Sequence, residues 1–381
     1  MAPGNPDARR GIPVFRSAAS AWKERNEDRV LSIGAHSLKA GLIGYPFSGK
    51  TTLFEAVAMR NRSGDLASVA VADPRLNAIC AVVHPKKRTP TTLELMDNAA
   101  QMPEPGRGKP ADFAASAKRV DVLVHVVREF DSPTVPFHAE PNPARDHSAV
   151  ETELILADLQ LVENRLERLT KSHDAKKPGS ADYLEKVLFE RIKPDLESGN
   201  RLRDLTFSDD EEMILRNYQM LSLKPLVIAI NCSETELHRT SQFQESATDP
   251  AFRICAEIER EISKMDEADR GEFLKDLGIE CPASENLIRA VYEALGLITF
   301  FTAGQNETKA WPLKRGETAV KAAGVIHTDI AKGFIRAEVV HYEDFERLGS
   351  VKACYDQGLM KLEGKEYIVR DGDIINIRNK S

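Results

Sequence analysis

The sequence predicts an α/β protein: a mostly parallel sheet covered by helices, interrupted by a long helical hairpin and followed by a small α+β domain. Three observations carry that prediction. Nearly continuous apolar runs at 38–43, 121–127 and 225–230 have the character of strands buried on both faces. The first run leads straight into Gly-x4-Gly-Lys-Thr, a glycine-rich turn that opens a helix. Between the last two runs the chain carries apolar residues at spacings of three and four, the period of a packed helix.

The 381 residues make room for roughly two to three domains at about 150 residues each. Lys and Arg number 52 and Asp and Glu 59, so the net charge of −7 argues against nucleic-acid binding by gross charge. A hydrophobic share of 42% with 29% charged residues is that of a folded globular chain. No apolar stretch reaches the roughly 18 residues of a membrane-spanning helix. Cys80, Cys232, Cys255, Cys281 and Cys354 form no Cys-x-x-Cys pair and are odd in number. They read as reduced thiols of a cytoplasmic protein, not as a disulfide framework or zinc ribbon.

Residues 1–37 are rich in Ala, Pro, Gly and Arg and show no periodicity beyond a possible short helix at 18–31. No apolar core follows a basic start, so this is not a secretory signal, and Glu24, Glu27 and Asp28 argue against an organelle transit peptide. The segment is expected to be a flexible extension.

The strand at 38–43 is followed by Gly44, Tyr45, Pro46, Phe47, Ser48, Gly49, Lys50 and Thr51, with Thr52 next on the helix. Gly44 and Gly49 let the backbone turn so that its N–H groups point inward at a phosphate chain. Lys50 is placed to reach the β and γ phosphates, Thr51 to ligate Mg²⁺, and the helix N-terminus adds its dipole. A second strand, Thr92–Met96, alternates and delivers Asp97 at its end, the position of a magnesium-holding carboxylate. His125 lies inside an apolar run and reads as a packed core histidine. After the run at 225–230 comes Asn231-Cys232-Ser233-Glu234. Guanine-specific proteins carry Asn-Lys-x-Asp at this corner, and the change to Cys232 and Glu234 argues against strict guanine selection without proving adenine selection.

Ile155, Leu159, Val162, Leu166 and Leu169 form a coiled-coil seam within 149–172, and Lys176–Ser180 breaks it. Leu184, Leu188, Ile192 and Leu196 continue on a second helix that Gly199 closes, and Ser208–Glu211 is a capping box opening a third. From 304 onward the strand-like runs are Ile335–Val340 and Tyr367–Ile377, with Asp371-Gly372 as a hairpin signal. Basic and acidic residues nearly balance there, which argues weakly against tight electrostatic RNA binding. His327 reads as structural.

These segments together resemble the YchF-type Obg-like ATPase family. GYPFSGKTTLFEAV (44–57), PTTLELMD (90–97), VDVLVHVVREF (120–130), KPLVIAINCSE (224–234), LITFFTAGQNETKAW (297–311) and LEGKEYIVRDGDIINIR (362–378) carry the likeness in one consistent order. The resemblance implies a Ras-like P-loop NTPase domain at 38–148 and 223–303, split by a helical coiled-coil insertion at 149–222. A ubiquitin-like TGS domain at 304–381 would follow. It further implies a cytoplasmic Mg²⁺-dependent enzyme that hydrolyses ATP in preference to GTP and associates with ribosomes. Asn231 and Glu234 match the family's altered base corner, Cys255-Ala256-Glu257 its base-side loop, and Asp97 its magnesium carboxylate. The chain is expected to be a monomer, with neither a membrane nor specific DNA among its partners.

Two regions depart from the family pattern. No Thr occurs between Thr52 and Thr89, where a longer first switch normally supplies one. In the second switch Asp97-Asn98-Ala99-Ala100-Gln101 puts Ala100 where a Gly normally binds the γ phosphate. Gln101 follows directly, where Ras-like enzymes carry the Gln that orients the attacking water, and is the candidate catalytic partner of Lys50. Arg107 and Lys109, on the next loop, are candidates to approach the phosphates. The changes leave two expectations open: slow hydrolysis, or a nucleotide-binding adaptor with little or none.

Overall fold

The computed structural model describes residues 38–58, 62–103, 110–237, 239, 243, 249–277 and 281–380. The expected extension at 1–37, and Arg107 and Lys109, lie outside the described residues. The chain divides into two compact units. One holds the described residues of Ala100–Arg119 and Ala144–Lys224, the other those of Ser37–Ala99, Val120–Pro143 and Pro225–Ser381. No helix among the described residues is long and apolar enough to cross a membrane.

The larger unit contains a seven-stranded sheet. Its strands are β1 (Lys39–Gly44), β2 (Arg62–Ser63), β3 (Leu66–Ala70), β5 (Thr92–Gln101, but for its last two residues), β6 (Val122–Arg128), β7 (Leu226–Asn231) and β8 (Ala251–Ile254), in spatial order β2-β3-β5-β1-β6-β7-β8. β1, β6, β7 and β8 pair in parallel, as the continuous apolar runs predict. β6 and β7 are buried along their whole length, His125 included. The helices packed near this sheet include α1 (Lys50–Ala58), α7 (Ala256–Ile262) and α9 (Ala283–Ala294).

The short first-switch segment folds, over 62–70, as a β-hairpin on the sheet edge, with Arg62 opposite Ala67 and Ser63 opposite Leu66. Gly64, at φ +62°, supplies the left-handed residue that so tight a turn needs. Asp97 is not at a strand end: β5 runs on to Gln101. The Asp97 N–H donates to the Asp65 carbonyl at 2.8 Å, and Ala99 and Ala100 are buried. Side chains this small are what the neighbouring strand permits, because a Cβ on Gly41 of β1 would fall on Ala99 Cβ.

Between β3 and β5 the chain leaves this sheet. It forms α2 (Pro74–Val83) and β4 (Lys87–Thr89), then returns. β4 is the edge of a second sheet, whose other strands are β9 (Leu297–Ala303), β10 (Glu307–Lys314), β11 (Phe334–Val340), β12 (Lys361–Glu363) and β13 (Ile374–Asn379), ordered β12-β11-β13-β9-β10-β4. β9 pairs with β10 from Thr308–Ala303 to Lys314–Leu297. The expected boundary at 303/304 therefore falls between two hydrogen-bonded strands, and apart from β4 the second sheet is built from residue 297 onward. Nor do residues 367–377 form one strand. Gly372 N–H donates to the Thr299 carbonyl and Asp371 Oδ1 accepts from Thr299 N–H, so the Asp-Gly turn leads into β13 instead of joining a hairpin. His327 accepts from Asp329 N–H at 3.2 Å and caps a short helix at Thr328–Lys332.

The smaller unit contains α3 (Pro110–Ala117), α4 (Pro143–Lys171, but for its first residue), α5 (Ala181–Glu197) and α6 (Asp209–Asn217). α4 begins at Pro143, six residues ahead of the expected start, with Pro at its first position where no N–H is missed. Ile155, Val162, Leu188, Ile192 and Leu196 are buried together. The capping box forms, Ser208 accepting from Glu211 N–H and Glu211 from Ser208 N–H. Asp158, fully buried, accepts from the Leu221 and Ser222 N–H groups at 2.8 and 2.7 Å.

Gly41→Ala is expected to destabilise the protein by about 1–3 kcal/mol, the usual cost of overpacking. Its new Cβ would meet Ala99 Cβ and lie 2.9 Å from both Val120 methyl groups. A lower urea midpoint than that of the wild type is the readout.

Candidate functional site

The site is built at the junction of β1 and α1. Gly44 has φ +136° and Gly49 φ +96°, conformations that side chains strain. Space forbids a side chain as well. A Cβ on Gly44 would lie 2.6 Å from the Val126 carbonyl, and one on Gly49 would collide with Asn231 Nδ2. Phe47 adopts φ +60° without being glycine, and its ring is 53% exposed. Lys50 begins α1 and is only 4% exposed. Its Nζ donates to the Gly44 carbonyl at 3.1 Å and to the Tyr45 carbonyl at 2.5 Å. Burial pushes the ammonium from its usual 10.5 down to about 8, while Asp97 opposes the shift.

Asp97, 7% exposed, therefore stands near the Lys50 ammonium, and Thr51 presents its hydroxyl from the first turn of α1 with an exposed side chain. A hydroxyl and a carboxylate oxygen are hard donors of the kind Mg²⁺ takes while keeping most of its waters. The donor set fits that ion.

The base corner assembles from β7 and the loop after β8. Asn231 Nδ2 donates to the Ser48 carbonyl at 3.0 Å, and its Oδ1 accepts from Ala256 N–H at 3.0 Å. One buried side chain thus ties the phosphate loop to the N-terminus of α7. Cys232 and Cys255 are buried alongside, and burial pushes both thiols up, as it does that of Cys80, which disfavours thiolate chemistry. Glu234 is exposed, in a short turn, and its charge helps to raise the Cys255 thiol.

The structure thus brings Gly44, Tyr45, Ser48 and Lys50 of the loop together with Asp97, Asn231 and Ala256, and puts Glu234 beside Cys255. Thr52 is half-buried on α1. Gln101 ends β5 with an exposed side chain.

One residue at the site has no counterpart among the expected ones. Arg128, 1% exposed at the end of β6, donates to the carbonyls of Phe47 and Pro136 at 3.3 Å, Val135 at 3.1 Å and Phe130 at 3.1 Å. Its guanidinium carbon lies 4.2 Å from the Phe130 ring centroid and 4.8 Å from that of Phe137. Tyr45 packs against the same loop, 4.2 Å from the His138 ring and 6.4 Å from Phe137. The signal for Arg128 was a single cation ending an otherwise apolar strand and followed by aromatic residues.

A glycine-rich loop between a buried parallel strand and a helix, with a Lys and a buried Asp at its mouth, defines a P-loop nucleotide-binding protein. Comparison with known proteins narrows the class. Residues 297–380 match the family YchF-GTPase_C, described as "Protein of unknown function (DUF933)". The "Ribosome-binding ATPase YchF" of Pasteurella multocida is 38% identical over 360 residues, covering 89% of this chain and 98% of that protein. The protein of the same name in Bacillus subtilis is 34% identical, covering 90% and 99%. The structure of the Schizosaccharomyces pombe YchF GTPase superposes with a TM-score of 0.81 at 30% identity, covering 90% of this chain and 98% of that one. The chain belongs to the YchF family.

A pH dependence follows from Lys50. Phosphate binding favours the charged ammonium, whose pKa in the free protein is about 8. Nucleotide affinity is therefore expected to be flat below pH 8 and to weaken above it, with proton uptake on binding near pH 8. Titration calorimetry in buffers of different ionisation enthalpy reads both.

Proposed function

We propose that this protein is a Mg²⁺-dependent nucleoside triphosphatase that binds ATP in preference to GTP and acts as a ribosome-associated switch in the cytoplasm, as a monomer. The observation that carries the reading is the phosphate loop with Lys50 buried in it beside Asp97. The relatives named ribosome-binding ATPases supply the partner and the reaction class. In this reading Lys50 leaves the Gly44 and Tyr45 carbonyls for the β and γ phosphates, and the loop N–H groups hold the remaining charge. Thr51 and Asp97 would hold the metal, which supplies charge neutralisation on the phosphate oxygens. Asn231, Cys232, Glu234, Cys255 and Ala256 would face the base. Glu234 in place of Asp, and Cys232 in place of Lys, favour adenine. Gln101 would orient water.

The domain reading remains a Ras-like nucleotide domain, a coiled-coil insertion and a TGS-like domain. Since β9 is hydrogen-bonded to β10, the last is best counted from 297.

A second reading is a nucleotide-binding adaptor with little hydrolysis. The hairpin at 62–70 favours it, because a first-switch segment committed to a sheet edge contains no Thr for the metal and the γ phosphate.

The test is calorimetric titration with ATP-γ-S and GTP-γ-S, with and without Mg²⁺, on the wild type and Lys50→Ala. Micromolar, Mg²⁺-dependent binding of the ATP analogue that Lys50→Ala abolishes is the expected result. A Lys50→Ala variant that keeps full ATP turnover would falsify the assignment. Phosphate release with and without ribosomes separates the two readings: turnover that rises with ribosomes supports the switch, and a flat trace supports the adaptor.

A further inference from the structure

We infer that Arg128 is a positioning residue for the nucleotide, acting through the carbonyl of Phe47; the inference rests on the nucleotide-binding reading above. A phosphate cradle needs its N–H groups turned inward, so its carbonyls turn outward into the protein, where they require donors. Two successive carbonyls of the loop have them: Ser48 from Asn231 and Phe47 from Arg128. Arg128 holds the more demanding of the two, because Phe47 stands at φ +60°, a conformation that strains a non-glycine residue.

The same guanidinium fork reaches beyond the loop. It donates to the carbonyls of Phe130, Val135 and Pro136 and lies against the rings of Phe130 and Phe137. The 130–138 segment is in turn packed on Tyr45, the second residue of the loop. Arg128 therefore joins both ends of the loop's first half to one strand. Only a planar group with several donors makes these contacts from one side chain; an ammonium does not. The Arg128 fork is 1% exposed, and all the hydrogen bonds described for it go to backbone carbonyls. Its effect is on the shape of the cradle before the ligand arrives, which places it in affinity and not in the chemical step.

The test uses the full chain, with ATP-γ-S and Mg²⁺ as the probe and calorimetry as the readout, well below the melting temperature of each variant. Arg128→Lys keeps the charge without the fork, and Arg128→Met keeps bulk without donors. About a tenfold or greater rise in Kd is expected for Arg128→Met, the scale of a lost charge-assisted hydrogen bond, with Arg128→Lys between it and the wild type. A structural role alone would lower both melting temperatures and leave the two Kd values within about twofold of the wild type, which would overturn the inference.

Phe47→Gly supplies the second arm, since it keeps the carbonyl and removes the backbone strain. If Arg128 acts through this peptide, the double variant Arg128→Met/Phe47→Gly binds no more weakly than Arg128→Met alone. Losses that multiply independently overturn the route through Phe47. A wild-type chain that binds no nucleotide sinks the functional reading itself, whereas binding that is intact in the wild type and in Arg128→Met sinks only this inference.

Discussion

The structure around the site depends on one requirement: a backbone that aims its N–H groups at a phosphate must find partners for the carbonyls it turns the other way. β1 delivers the chain to the turn, and α1 begins the moment it is over. In between, the carbonyls of Gly44, Tyr45, Phe47 and Ser48 are held by Lys50, Arg128 and Asn231. Those three donors come from α1, the end of β6 and the end of β7. The parallel order β1-β6-β7 is what brings the strand ends together. The Asn at the end of β7 has a structural part of its own. Its two amide ends join the loop to α7, and the missing Cβ of Gly49 is the space it occupies.

The second sheet is tied to the first by a segment of the nucleotide-binding half. α2 and β4 lie between β3 and β5 in sequence, yet β4 pairs in parallel with β10, and Leu76 and Ile79 of α2 share a core with Phe301, Val340 and Ile374. Asp73 caps α2 and also holds Arg75, which reaches Asp371 at 2.9 Å and lies over the Phe301 ring. Gly372 stands at φ +92°, which strains a side chain, and a Cβ there would sit 3.0 Å from Arg75 Nη1. The strand carrying Asp97 thus continues directly from a segment embedded in the second sheet. A movement of either sheet relative to that segment would be felt along β5.

What the sequence disclosed was what depends on neighbours in sequence. The phosphate loop was legible because glycines, lysine and threonine must follow one another for the turn to work. The helical hairpin was legible because its apolar residues repeat with the helix, and the Ser208 capping box because its partners are three residues apart. The rest depended on partners far along the chain. β4 carries Lys87, Arg88 and Thr89, with no apolar alternation, and is a strand only because β10 lies beside it. β5 looked finished at Met96, since Asn-Ala-Ala-Gln has little strand character. It continues alongside β1, where the missing Cβ of Gly41 leaves the room that Ala99 occupies. Asp371-Gly372 has the composition of a hairpin turn, but Thr299 takes its hydrogen bonds first. Arg128 looked like the end of a strand, and its meaning lies in carbonyls that pattern cannot place.

Lys50 shows how the free protein prepares for its ligand and also limits it. A buried ammonium is costly unless its protons are accepted, and the Gly44 and Tyr45 carbonyls accept them. These are the loop's own atoms, so the resting contact preserves the turn that phosphates require. In the proposed reading the same contact is surrendered on binding, together with part of the attraction to Asp97. The ligand therefore gains the difference between phosphate and carbonyl as partners of the ammonium, not the whole of a new ion pair. Burial has weakened the ammonium's hold on its proton without removing it at neutral pH, so a phosphate chain that pairs with Lys50 raises its pKa again, and the proton taken up above pH 8 is the mark of that pairing.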